Sequence, residues 1–205
     1  MLQYITHTAD NLEAVLKGGC RWVQLRIKDA TDAEYLAQGN RVGQLCRRYG
    51  AKFIVDDRVH LVAQLDADGV HLGKNDMPLP QARRLLQANS GIPRYRIIGA
   101  TANTADDIIQ AADAGADYIG LGPLRFTSTK KNLAPLIGIE GYGRIMARCR
   151  SLGITLPVVA IGGITTADLA GLKLAGVDGV AVSGFIATSE NPELTTRNII
   201  DIWEN

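Results

Sequence analysis

The chain has 205 residues, near the lower end for an eight-unit β/α barrel and long for two separate domains. Its 22 basic and 21 acidic residues leave a net charge of +1, which argues against a strongly basic nucleic-acid binder, and 46% hydrophobic with 21% charged residues is an ordinary globular balance. Cys20, Cys46 and Cys149 form no C-x-x-C and suit reduced thiols; with no signal-peptide pattern in Met1 to Asp10 and no run near the ~18 apolar residues that span a bilayer, the expected location is the cytoplasm, without a membrane partner.

Eight short apolar runs punctuate the chain: Tyr4-Ile5, Trp22 to Leu25, Phe53 to Val55, Gly69 to Leu72, Ile97 to Ala100, Tyr118 to Leu121, Val158 to Ile161 and Val180 to Val182. Such runs suit strands buried on both faces of a parallel sheet. Helical period fills the gaps. Thr31 to Tyr49 opens with Thr31 as N-cap and Glu34 three residues on, a capping box. Thr104 to Ala114 and Thr166 to Ala175 each open on Thr and close on Gly115 or Gly176. A weak echo precedes the second, fourth, sixth and eighth runs: Gly18 to Val23, Ala67-Asp68-Gly69-Val70, Ala114 to Ile119 and Ala175 to Val180. A period of two β/α units fits a barrel with alternating layers. The expected fold is α/β, a (β/α)8 TIM barrel in a single domain over residues 1–205. An open doubly wound sheet is the alternative, against which stands the absence of a G-x-G-x-x-G after the first strand.

In a barrel the site lies at the C-terminal strand ends. The second run continues as Gln24-Leu25-Arg26-Ile27-Lys28, so Gln24, Arg26 and Lys28 share one face, and two cations there call for an anion. The third run ends Asp56-Asp57-Arg58 and the fourth reaches Asp76, so neighbouring strand ends present Asp57 and Asp76 as a candidate Mg2+ site. The bland reading has Asp57 capping the next helix and Asp76 in a turn before Met77-Pro78. His71 reads as a hydrogen-bonded structural residue and takes no part in the mechanism; His7 and His60 are assigned nothing. The sixth run leads into Gly122 to Asn132, a loop with three hydroxyls and two lysines suited to an anion and to a lid. Gly162-Gly163 after the seventh run and Ser183 after the eighth suit a phosphate cradle of backbone N–H groups, to which a following helix N-terminus adds its dipole. Thr101 adds a hydroxyl at the rim. No Ser-His-Asp or Cys-His constellation is evident. A diphosphate leaving group beside a second phosphorylated substrate suggests a transferase.

These residues together resemble the thiamine phosphate synthase family from Tyr4-Ile5-Thr6 to Val182-Ser183-Gly184. The specific pieces are Gln24 to Lys28, Asp56-Asp57-Arg58, Gly69 to Gly73 with Asp76, Gly99 to Thr101, Gly122-Pro123 with Thr127 to Lys130, and Ala160 to Ile164. The resemblance implies that Gln24, Arg26, Lys28, Asp56, Thr101 and Lys130 hold a pyrimidine diphosphate. It implies Mg2+ on Asp57 and Asp76, and thiazole phosphate on Thr127, Thr129, Gly163, Val182 and Ser183. Arg26, Lys28 and Lys130 would stabilise charge on the departing diphosphate. Thr101 stands where Ser is common and keeps the hydroxyl. Arg125-Phe126 stands where the family usually has Phe-Pro, an exchange that leaves the loop less stiffened and adds a cation. The rival readings are a thiazole tautomerase of the same fold and a noncatalytic phosphate-ligand barrel. Both substrates are small molecules, and a homodimer is allowed for.

Overall fold

In the computed structural model, which describes residues 1–88, 95–126 and 135–204, the eight apolar runs are eight parallel strands. They are β1 (Leu2–Thr6), β2 (Trp22–Leu25), β3 (Lys52–Asp56), β4 (Gly69–Leu72), β5 (Ile97–Ala102), β6 (Tyr118–Leu121), β7 (Val158–Ile161) and β8 (Gly179–Val182). Tyr4 of β1 pairs with Val23 on one side and Val182 on the other, so the sheet closes on itself and no edge remains. Closure rules out the open doubly wound sheet.

The helices are α1 (Leu12–Lys17), α2 (Asp32–Arg48), α3 (Leu79–Ala88), α4 (Ala105–Asp113), α5 (Gly138–Ser151), α6 (Leu169–Leu174), α7 (Gly184–Ala187) and α8 (Pro192–Glu204). They are not spread one per strand. A single 3-10 turn, Val59–Leu61, stands between β3 and β4, and two helices follow β8. Among the described residues no helix is long and apolar enough to cross a membrane. The capping box at Thr31 forms in full: its hydroxyl accepts from the Glu34 N–H and Glu34 accepts the Thr31 N–H at 2.8 Å. Thr104 and Asp107 repeat it before α4. Before α6 the cap is Thr165 rather than Thr166, because Asp168 lies three residues after Thr165 and can return the hydrogen bond; the first turn is 3-10.

Side chains alternate along each strand. On β1, Leu2 and Tyr4 face the helices, while Ile5 joins Tyr118, Val159 and Ala181 inside the barrel, with Trp22, Ile97 and Ile161 packed against them. All three cysteines are free and buried.

The echo has a physical cause in three of its four copies. Asp68, Asp117 and Asp178 precede β4, β6 and β8. Each donates its backbone N–H to a carbonyl at the start of the preceding strand: Phe53, Ile98 and Val158, at 2.7, 2.7 and 2.8 Å. Each carboxylate then accepts the N–H of that same residue, again at 2.7, 2.7 and 2.8 Å. The pair of bonds pins the lower end of one strand to the entry of the next. In the first copy Arg21 occupies the place, and its guanidinium donates to the carbonyls of Leu16 and Cys20 instead. Asp178→Ala strands the N–H of buried Val158 and should cost about 1–3 kcal/mol, whereas Asp178→Asn keeps an acceptor and should cost less. Urea unfolding of the two variants measures the difference; equal losses would mean that the staple is not the source of the stability.

Candidate active site

The upper ends of β2, β3 and β4 carry most of the charge. Arg26 extends the β2 ladder by donating its N–H to the Thr6 carbonyl at 2.8 Å, so the chain stays extended beyond Leu25. The alternation read from sequence therefore holds, and Gln24, Arg26 and Lys28 converge on one group, the buried carboxylate of Asp56. Gln24 donates to its Oδ1 at 2.7 Å. Arg26 Nε and Lys28 Nζ lie 3.4 and 3.3 Å from its Oδ2. Tyr35 of α2 holds the frame: its hydroxyl donates to the Leu25 carbonyl at 2.5 Å and accepts the Asp56 N–H at 3.0 Å. One helix side chain thus fixes the spacing of the two strand ends.

Asp57 stands next to this hub with φ of +61°, an unusual conformation for a residue with a Cβ. Its N–H donates to the His71 carbonyl at 2.9 Å, and its carboxylate pairs with Lys28. It makes no cap: the short 3-10 turn begins after Arg58 without a side-chain capping bond. Asp76 does sit in a turn, where its Oδ2 accepts the Gly73 N–H at 2.6 Å, yet it is also hydrogen-bonded to Asp57. The structure thus brings Asp57 and Asp76 together. Burial, and then the hydrogen bond to Asp57, push the Asp76 carboxyl up. Burial works to raise Asp57 too, but hydrogen bonds with Asp76 and Lys28 outweigh it and hold Asp57 below the usual carboxylate range. The two carboxyls are thus pushed in opposite directions, Asp76 up and Asp57 down. Burial and the adjacent Asp57 push Asp56 up to about 7 against the pull of Lys28 and Arg26. Burial opposes the charge on Lys28, but its bonds to Asp57 and Asp56 raise its pKa. Two adjacent carboxyl groups form an oxygen donor set suited to a hard divalent cation. Among the described residues no group of three His, Cys, Asp or Glu side chains is arranged for a metal, so any such ion would take its remaining ligands from water or substrate.

Thr101 lies on β5 with its hydroxyl 3.0 Å from His71 Nε2. The other ring nitrogen, Nδ1, is 2.9 Å from the Tyr118 hydroxyl, which also accepts from Gln3 at 3.2 Å. Burial raises the Tyr118 pKa well above its usual range, so the phenol keeps its proton. Gln3 Nε2 only donates, so the phenol proton goes to His71 Nδ1, and Nε2–H donates to Thr101. The Thr101 proton is then left to donate elsewhere. Sequence reading set His71 aside as structural; its contacts agree, and they add that it orients a candidate substrate-binding hydroxyl. The pattern gave no sign of Tyr118 or Gln3, since both lie in other strands.

The opposite side of the mouth is built from backbone. Gly162 and Gly163, with φ of +102° and +68°, turn the chain after β7. Val182 ends β8 and is buried; Ser183 precedes α7 and makes no side-chain capping bond. Helix α7 is a single turn of four residues, so the dipole expected there is undeveloped, and N–H groups are what these loops offer. Thr127, Thr129 and Lys130 lie outside the described residues. Arg125 does not add a spare cation, because Asp168 engages its guanidinium at 2.8 and 2.5 Å.

A closed eight-stranded β/α barrel with this charged rim and double-glycine turn at its upper end defines the class, a (β/α)8 TIM barrel. Residues 3–186 match the family model described as thiamine monophosphate synthase. The thiamine-phosphate synthase of Phocaeicola vulgatus is 46% identical over 98% of this chain and 97% of its own length. That of Bacteroides thetaiotaomicron is also 46% identical, over 98% and 96%. The solved thiamine phosphate pyrophosphorylase from Pyrococcus furiosus superposes with a TM-score of 0.85 at 34% identity, covering 99% of this chain and 95% of that one. The chain belongs to the thiamine monophosphate synthase family.

Tyr118→Phe removes the donor that sets His71. The expected cost is about 1–3 kcal/mol in urea unfolding, since His71 Nδ1 and Gln3 both lose a buried partner. In a double-mutant cycle with His71→Ala the losses should fall short of additive. Full additivity would mean the two groups do not act as one chain.

Proposed function

We propose that this chain is a transferase of thiamine biosynthesis that joins hydroxymethylpyrimidine diphosphate to thiazole phosphate, giving thiamine phosphate and diphosphate. The observation that carries the reading is the convergence of Gln24, Arg26 and Lys28 on Asp56 beside the Asp57–Asp76 pair. Relatives that align with nearly the whole chain bear the synthase name. The pyrimidine diphosphate is assigned to Gln24, Arg26, Lys28, Asp56, Thr101 and Lys130, and the thiazole phosphate to Thr127, Thr129, Gly163, Val182 and Ser183. Asp57 and Asp76 would hold Mg2+, which supplies positive charge against the diphosphate oxygens. The enzyme would work in the cytoplasm.

The reaction asks little covalent chemistry of the protein. The bond from the pyrimidine methylene carbon to the diphosphate oxygen breaks, and its electron pair leaves with diphosphate. The thiazole nitrogen supplies the pair for the new carbon–nitrogen bond. Arg26, Lys28 and Lys130 stabilise the charge that grows on the departing oxygen. Gln24 and the His71-oriented hydroxyl of Thr101 hold the first substrate still. This division accounts for a mouth rich in cations with no triad. A thiazole tautomerase need not keep the diphosphate cations or the paired aspartates, and a noncatalytic barrel would bind without turnover; neither is favoured by the named relatives.

The direct test is purified protein with Mg2+ and both substrates, read for thiamine phosphate and diphosphate. Binding without product would overturn the proposal. Asp57→Asn and Asp76→Asn should each lower the rate by about 10^2–10^3 with the urea midpoint close to wild type. An unchanged Mg2+ titration in both variants would remove the metal assignment. If bond breaking runs ahead of bond formation, positive charge builds on the methylene carbon. Electron-withdrawing substituents on the pyrimidine should then slow the single-turnover rate, tenfold for each ~1.4 kcal/mol of lost cation stabilisation. A flat series with unchanged binding would require a concerted displacement.

A further inference from the structure

Leu124 and Arg125 tie two loops of the mouth together through three successive carbonyls, those of Ile161, Gly162 and Gly163. The Leu124 N–H donates to the Ile161 carbonyl at 2.9 Å, and the Arg125 N–H donates to that of Gly162 at 3.2 Å. The Arg125 guanidinium then donates to the Gly163 carbonyl at 2.9 Å. The same guanidinium grips both oxygens of Asp168, at 2.8 and 2.5 Å. Asp168 is itself buried and fixed, accepting from the Thr165 N–H at 2.8 Å and the Thr165 hydroxyl at 3.0 Å. The approach is close enough that a Cβ on Gly163 would lie 2.5 Å from Arg125 Cγ.

Peptide planarity carries the consequence across the turn. In a trans peptide the C=O and N–H point in opposite directions. With the carbonyls of Gly162 and Gly163 drawn toward Arg125, the N–H groups of Gly163 and Ile164 face away from it. Those two N–H groups donate to no described residue. Two glycines in succession leave these peptide planes easy to rotate, so their orientation needs an external hold. A rotated plane would present a carbonyl oxygen where an N–H should meet an anion. We infer that Arg125 is a positioning residue: anchored on Asp168, it sets the Gly162–Gly163–Ile164 peptide planes and thereby the affinity of this turn for the phosphate of the second substrate. The inference rests on the proposed reading of this turn as the thiazole phosphate cradle.

The test is steady-state kinetics on the full chain with Arg125→Ala, Arg125→Lys and Asp168→Asn, with thermal unfolding of each. Arg125→Ala should raise KM for thiazole phosphate about tenfold, the weight of one charge-assisted hydrogen bond. KM for the pyrimidine diphosphate and kcat at saturation should stay within about twofold. Arg125→Lys should recover part of the loss, because an ammonium lacks the fork that bridges Gly163 and both Asp168 oxygens. Asp168→Asn separates positioning from direct contact. If Arg125 acts by orienting the turn, thiazole phosphate binds more weakly; if Arg125 meets the phosphate itself, releasing its charge makes binding tighter, and the inference is overturned. An unchanged KM in Arg125→Ala, or equal rises in both KM values with a lowered Tm, would also overturn it, and these hold even if Asp168→Asn does not fold. Should the wild-type chain make no product, the proposed reaction falls. Arg125 is then judged by titrating inorganic phosphate into wild type and Arg125→Ala, where equal affinity rejects the inference.

Discussion

The mouth of this barrel depends on one buried carboxylate. Asp56 sits at the end of β3, and three donors from the neighbouring strand end reach it: an amide, a guanidinium and an ammonium. An isolated buried charge of either sign would be expensive, and the hub makes each group the answer to another. It also fixes geometry. Gln24, Arg26 and Lys28 are held in line because they share a target, and that target is held by Tyr35 through the Asp56 N–H. A ligand arriving at this rim meets cations already in place.

The same strand end stores strain. Asp57 has left-handed backbone although it carries a Cβ, at a cost of about 1–3 kcal/mol. Its N–H bond to His71, the pairing with Lys28 and the bond to Asp76 hold it there. The conformation turns the chain sharply out of β3, so that consecutive carboxylates share Lys28 but otherwise serve different partners. Asp56 looks to β2, and Asp57 looks to Asp76 beyond β4. At the lower end of the barrel, three aspartate staples tie strand entries together, and the carboxylates there are spent on backbone N–H groups.

Much of this was legible in the sequence, for specific reasons. Parallel strands buried on both faces read as short unbroken apolar runs, so all eight could be placed within a residue or two. The alternation of Gln24, Arg26 and Lys28 survived because a strand end is still a strand, continued here by the Arg26 bond to Thr6. Asp57 and Asp76 could be paired once β3 and β4 were known to be neighbours. What stayed hidden depends on contacts far apart in the chain. Gln3, Tyr118, His71 and Thr101 form one line across four strands, and no local pattern announces it. Arg125 and Asp168 are 43 residues apart, and composition alone made Arg125 a surplus charge. The helix read as starting at Thr166 is capped one residue earlier, because Asp168 returns a hydrogen bond to Thr165.

The two sides of the mouth are built from different materials, and the proposed reaction gives a reason. On that assignment the diphosphate gains negative charge on its bridging oxygen as the carbon–oxygen bond breaks. Full charges at Arg26 and Lys28 interact more strongly with the transition state than with the ground state, which is the condition for accelerating the step. The thiazole phosphate does not change charge during the reaction. Cations placed against it would tighten substrate and transition state equally and would raise no rate at saturation. What that phosphate requires is location, so that the thiazole nitrogen meets the methylene carbon in line. Backbone N–H groups on a clamped glycine turn supply location with little excess attraction, and they leave the product free to depart. Arg125, whose guanidinium reaches the Gly163 carbonyl, has its charge engaged by Asp168. Among the described residues, charge thus stands on the side where charge develops on the proposed reading, and fixed dipoles stand where it does not.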